Sequence, residues 1–153
     1  MKRRILLVDD DLAVRLTLKA VLELHGFEVE TASSSSEAFV RMESSVYQLV
    51  ISDLRMETEG AGLEVVRTAR RQTYDPATAL LTAYPPYGEG WNGELEEGRH
   101  RDGEDWPGKN CDSVLIKPLG TGDLLQQVEV LLIRQADKQL RQRKFISEAQ
   151  DIP

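Results

Sequence analysis

Ile5-Leu6-Leu7-Val8-Asp9-Asp10-Asp11 places four consecutive apolar side chains directly before three carboxylates. Four residues suit a strand, and a run apolar at every position suits a strand covered on both faces. The preceding Met1-Lys2-Arg3-Arg4 has the charge of a signal-peptide start, but Asp9 ends the apolar run too early for one. Outward from this segment, helical and strand-like stretches alternate. Leu12 to His25 sets Val14, Leu18, Val21 and Leu22 on one stripe, with Leu16 and Leu24 beside it, and stops at Gly26, a natural helix terminator. Phe27 to Thr31 reads as a strand. Glu37 to Ser44 reads as a helix, with Ser34 and Glu37 at capping-box spacing. Tyr47 to Ser52 is the next strand, Leu63 to Gln72 the next helix after Gly62, and Ala79 to Thr82 and Val114 to Ile116 two further strands. A last helix follows Gly120, capped by Thr121 or Asp123 and carrying Leu124, Leu125, Val128, Leu131 and Leu132.

This alternation predicts an α/β fold, a doubly wound five-stranded parallel sheet with helices on both faces. In such sheets functional groups gather beyond the carboxyl ends of the strands. Asp9, Asp10 and Asp11 follow strand one, Asp53 follows strand three, Thr82 ends strand four and Lys117 ends strand five, so all meet at one edge. Asp11 stands where the first helix begins and reads as its N-cap. Crowded carboxylates repel one another unless a cation sits among them, and Mg²⁺ suits a site that shares it with a phosphoryl group. An aspartate beside that metal can act as a nucleophile and form an acyl phosphate. A lysine ammonium would neutralise charge on the transferred group, and a threonine hydroxyl would donate to one of its oxygens.

Composition narrows the class further. In 153 residues, 19 Lys and Arg against 26 Asp and Glu give a formal net charge of −7, which disfavours nucleic acid or an anionic membrane as partner. One cysteine, Cys111, excludes a disulfide framework, and with only His25 and His100 beside it no Cys/His metal cluster forms. The expected location is the cytoplasm. Pro85 to Ser113 alone contributes −5, and it holds six of the 11 glycines, three of the six prolines and both tryptophans.

Four motifs in order, Ile5-Leu6-Leu7-Val8-Asp9-Asp10-Asp11, Ile51-Ser52-Asp53-Leu54-Arg55-Met56, Leu80-Leu81-Thr82-Ala83 and Leu115-Ile116-Lys117-Pro118, resemble the receiver domain of two-component response regulators, in its stand-alone, chemotaxis-regulator-like form. The resemblance covers residues 1–133 and implies a flavodoxin-like strand order 2-1-3-4-5. It also implies that Asp53 accepts a phosphoryl group from a partner histidine kinase or phosphotransfer protein. Asp9, Asp10, Asp53 and the main-chain carbonyl of Arg55 would hold Mg²⁺, with Asp9 acting mostly through water. Lys117 would pair with the phosphoryl group, Thr82 would hydrogen-bond it, and Ala83 would leave room for the donor. The Lys117-Pro118 bond would be cis. Such a chain is not an enzyme acting on other molecules but a phosphoacceptor that assists its own phosphotransfer and dephosphorylation.

Three departures from the family pattern stand out. Glu57 replaces the usual proline after Met56, and the loop to Gly62-Leu63 is one residue longer, so Glu57 and Glu59 either attract a cation or are simply solvated. Residues 84–112 form a Gly- and acid-rich insertion in which the fourth helix is replaced or shortened. Val114 stands where the family has an aromatic switch residue, so the aromatic relay is expected to be absent and the insertion to carry the output. Residues 134–153 form a helical extension and tail of charge +2. A helix from Thr121 to Lys144 would span 24 residues, and would be a solvated projection, a dimerising or partner-binding helix, or a linker. Too few residues follow Ile133 for a DNA-binding output domain, which leaves contact with an unknown downstream protein or a homodimer. The alternative to a phosphorylation switch is a phosphorylation-independent receiver-like scaffold. A Mg²⁺-dependent hydrolase using Asp53 is disfavoured, because no second carboxylate follows at a spacing suited to a general acid.

Overall fold

The computed structural model describes residues 2–83 and 111–150, the side chains of 145–150 excepted. Five strands, β1 (Arg4–Val8), β2 (Glu28–Ala32), β3 (Leu49–Asp53), β4 (Ala77–Thr82) and β5 (Ser113–Ile116), form one sheet in the order 2-1-3-4-5. Every neighbouring pair is parallel. The expected doubly wound architecture is therefore present. The register sets Val8 beside Ser52, Asp53 beside Leu81 and Thr82 beside Ile116, so the carboxyl ends of these four strands finish along one line.

The two-residue period of a strand sorts the β1 side chains to opposite faces. Ile5 and Leu7 join Leu49, Ile51 and Leu81 on one side, under Leu22 of α1 (Leu12–Leu24) and Leu124, Val128 and Leu131 of α4 (Thr121–Gln150). Leu6, Val8 and Val50 face the other side, against Ala38 and Met42 of α2 (Ser35–Ser44) and Val65 and Ala69 of α3 (Ala61–Arg70). A third cluster, Leu54, Val66, Leu80, Cys111 and Val114, lies toward β5. Val114 is thus a core residue. Leu16 and Leu24, by contrast, face outward from α1.

The helix ends follow local chemistry. Asp11 caps α1 by accepting from the backbone N–H groups of Ala13 and Val14. At its other end Gly26 takes φ 90°, and Phe27 N–H donates to the Leu22 carbonyl, closing a left-handed terminator. Ser34 accepts from Glu37 N–H, half of the expected capping box, but the Glu37 carboxylate turns to the N–H and hydroxyl of Ser33 instead of Ser34. Those bonds hold the Glu37 carboxyl below its ordinary range.

α3 starts at Ala61, two residues before the expected Leu63, because Gly62 packs directly on the sheet edge. A Cβ on Gly62 would lie 2.1 Å from the Asp53 carbonyl oxygen and 2.6 Å from Leu54 Cα. α4 runs 30 residues, past the expected end at Lys144. It is not a plain solvated projection, since Lys138 pairs with Asp75 and Gln139 Nε2 donates to the Tyr74 carbonyl at 3.0 Å. The Tyr74 hydroxyl in turn donates to the Met42 carbonyl at 3.0 Å, which ties this turn to α2. The expectation of a replaced or shortened helix between β4 and β5, and the Gly- and acid-rich insertion apart from Cys111 and Asp112, fall on residues 84–110 and lie outside the described residues.

Candidate functional site

The site is built from four adjacent strand ends. Asp9 follows β1, is fully buried, and is fixed from several directions: its N–H donates to the Ala32 carbonyl, and its Oδ1 accepts from Asp11 N–H at 2.9 Å. Its carbonyl oxygen accepts from Arg15 Nη1 at 2.6 Å, a contact that no motif in the sequence announces. Asp53 closes β3 and is half-buried beside it. Lys117, leaving β5, places Nζ 3.0 Å from Asp9 Oδ2 and 3.6 Å from Asp53 Oδ2. Its own N–H donates to the Thr82 carbonyl at 2.8 Å, so the lysine and the threonine are linked through the main chain. Thr82 is buried at the end of β4.

Asp9, Asp10 and Asp53 each bring a carboxylate oxygen within 4.8 Å of the others. Three negative groups therefore share one ammonium. Burial and the neighbouring Asp9 charge push the Asp53 carboxyl above its ordinary range, while Lys117 and the Arg55 N–H oppose that rise. At Lys117 burial works against the charged form. The hydrogen bond to Asp9 and the charge of Asp53 outweigh it, and the ammonium is held above its ordinary value.

This donor set fits a hard divalent cation. The three clustered side chains offer carboxylate oxygens, and the cluster carries more negative charge than Lys117 cancels. Asp9 is engaged by Lys117 at 3.0 Å and by the Asp11 N–H, Asp53 more loosely by Lys117 at 3.6 Å, and Asp10 is exposed. Asp11 is not part of the cluster, because its carboxylate caps α1. Glu57 is neither beside the carboxylates nor simply solvated. Its carboxylate accepts from the N–H and hydroxyl of Ser35. Cys111 is buried, donates to the Ser113 carbonyl, and has its thiol pushed up to about 12, chiefly by that burial, so it stays protonated at neutral pH. The Lys117-Pro118 bond is cis, as expected. Beside it a cavity of roughly 440 Å³ opens between α1 and the strand ends, lined by Ala13, Val14, Leu18, Ala83 and Pro118 among others.

The molecule is thus a doubly wound parallel α/β fold with an acidic cluster and one lysine at the carboxyl edge of its sheet, where such folds carry their functional groups. Within that class the chain belongs to the response regulator receiver domain family, whose description matches residues 5–87. It is 34% identical over 134 residues to the response regulator MprA of Mycolicibacterium vanbaalenii, covering 88% of this chain and 52% of that protein. It is 31% identical over 133 residues to a transcriptional regulatory protein, a CpxR homolog, of Haemophilus influenzae, covering 87% and 52%. The chain thus spans about half the length of these curated relatives. Among solved structures, the response regulator TrrA of Thermotoga maritima, in complex with Mg²⁺ and BeF, is 32% identical with a TM-score of 0.67, covering 84% of this chain and 98% of that one. The chemotaxis protein CheY4 of Vibrio cholerae shares the fold at 24% identity and a TM-score of 0.68, covering 86% and 99%. Among the described residues no helix is long and apolar enough to cross a membrane.

Proposed function

We propose that this chain is a phosphorylation-controlled switch of a two-component system, with Asp53 as phosphoacceptor. The observation that carries this reading is Lys117 Nζ standing 3.0 Å from Asp9 and 3.6 Å from Asp53 at the carboxyl edge of the sheet. Asp53 would attack the phosphorus of a phosphohistidine on a histidine kinase or phosphotransfer protein. The new O–P bond forms as the P–N bond breaks, and the departing imidazole takes up a proton. Lys117 neutralises charge on the transferred group, and the Thr82 hydroxyl donates to one of its oxygens. Mg²⁺, held by Asp10, Asp53 and the Arg55 carbonyl with Asp9 behind them, would supply charge neutralisation at the phosphoryl oxygens.

The kinase-type partner would dock on the apolar cavity beside Lys117, continued over α1 by the exposed Leu12 and Leu16. Thermotoga TrrA, a structural neighbour at 32% identity, has been solved in complex with the histidine kinase ThkA. Residues 1–133 would be the receiver unit and 134–153 its helical extension, acting in the cytoplasm through contact with a downstream protein or a second copy. The test is incubation with Mg²⁺ and acetyl phosphate. A hydroxylamine-labile adduct that is absent in Asp53→Asn supports the switch, and no adduct in the wild type supports a phosphorylation-independent scaffold.

A further inference from the structure

Glu57 takes the place of a residue that would stiffen the loop by itself. A proline there would fix φ and remove a backbone donor, whereas Glu57 leaves φ free and carries a charge two residues from Arg55. The β3–α3 loop is held at its base, where Leu54 N–H donates to the Leu81 carbonyl and Gly62 N–H to the Leu54 carbonyl. Above the base, Met56 N–H and Ala61 N–H both turn back to the Thr58 carbonyl, bonds that stay within the loop. The Glu57 carboxylate does something different. It crosses to the first residue of α2 and accepts from the Ser35 N–H at 2.9 Å and from the Ser35 hydroxyl. That N–H is one of the unsatisfied donors at a helix start, where a carboxylate is stabilised by the helix dipole as well as by the bonds. Both bonds end on one carboxylate oxygen, Oε1, and so tether the tip of the Glu57 side chain to the start of α2 and restrain the main chain it hangs from.

We infer that Glu57 and Ser35 form a clip that positions the Arg55 main chain for the divalent cation, supplying the stiffness that a proline at this place would give. Glu57 is a positioning residue and touches neither the cation nor the phosphoryl group. This inference rests on the metal site assigned under Proposed function. It predicts that shape, not the Glu57 charge, controls metal affinity.

Mn²⁺ serves as the probe, with free Mn²⁺ measured by electron paramagnetic resonance on the full chain, alongside a thermal melt without metal. Glu57→Ala, which loses both bonds, should weaken Mn²⁺ binding about five- to ten-fold, and Ser35→Ala, which keeps the main-chain donor and loses only the hydroxyl, about two- to three-fold. The double variant should be no weaker than Glu57→Ala alone. Glu57→Gln, which keeps an acceptor for Ser35 but drops the charge, should retain most of the affinity, and Glu57→Pro should restore it. Equal losses in Glu57→Gln and Glu57→Ala, with Ser35→Ala unchanged, would show that the charge attracts the cation and overturn the clip. Unchanged affinity in both alanine variants overturns it as well, whatever the melts show. If the wild type binds no Mn²⁺, or Asp53→Asn binds it equally well, the metal site itself is wrong and the clip falls with it.

Discussion

The two edges of the sheet treat charge in opposite ways. At the amino edge, Arg4 pairs with Glu28 and Glu30, Arg41 approaches Glu30 at 3.8 Å, and the Arg4 guanidinium stands 5.3 Å from the centre of the Tyr47 ring. Tyr47 is fully buried and its hydroxyl donates to Glu30; burial above all, and then Glu30, push its ionisation far up, so it stays a donor. Positive and negative groups interleave there, as they do where Lys138 meets Asp75. At the carboxyl edge three carboxylates face one lysine. Interleaved charge holds the fold together, while the surplus of negative charge at the carboxyl edge, which under the proposed function would receive a cation and a phosphoryl group, lowers the stability of the metal-free chain.

Four substitutions would break or sharpen that contrast. Gly62→Ala should have the largest effect, a loss of more than about 3 kcal/mol in urea unfolding, since the new methyl would meet the Asp53 and Leu54 main chain at 2.1 to 2.7 Å. Lys117→Ala leaves the fully buried Asp9 without its cation and should cost about 3 kcal/mol in EDTA. Part of this loss should return with millimolar Mg²⁺, which no amino-edge variant should show. Tyr47→Phe removes the Glu30 hydrogen bond and should cost about 1.5 kcal/mol, independent of Mg²⁺.

Asp53→Asn should have the smallest effect and the opposite sign, raising the Tm of the metal-free protein by about 3 °C. The folded protein holds the Asp53 proton more tightly than the unfolded chain does, so its ionisation opposes folding. The penalty is absent below the ordinary carboxylate range, near 3.8, and grows as pH rises through the elevated folded value. Melts of both proteins from pH 4 to 8 should therefore coincide at the acid end and separate toward neutrality. A melt that falls in Asp53→Asn at pH 7 would show that the carboxyl edge is as well matched as the amino edge.

What the sequence disclosed depended on the range of the interaction. The strand Ile5–Val8 and the carboxylates after it were legible because burial on both faces and position at a strand end are local properties. The Asp11 cap and the Gly26 terminator were legible for the same reason. β4 begins two residues before the expected Ala79, because Ala77 and Thr78 after Pro76 carry a weak strand signal that pairing with Leu49 and Val50 overrides. The bonds of Glu57 to Ser35, 22 positions apart, and of Gln139 to Tyr74, 65 apart, leave no periodic trace. The long last helix was visible as a helix, yet its docking on a turn was not. In that turn Asp75 takes a left-handed conformation, φ 44°, that a non-glycine residue seldom adopts.

That last helix begins four residues after Lys117 and runs for 30 residues, about 45 Å at about 1.5 Å per residue. It passes the sheet and is clasped near its middle by the Tyr74–Asp75 turn. Mechanically it is a rod with its root beside the carboxyl edge of the sheet and its fulcrum at the opposite pole. A tilt of about 5° at Thr121 would swing an unclasped end by about 4 Å over that length. With the clasp closed, the helix is pinned at Lys138 and Gln139. The leverage of the helix is thus set by its buried stretch from Leu124 to Leu132 and by two further contacts, Lys138 with Asp75 and Gln139 with Tyr74, far from the residues that would receive the phosphoryl group.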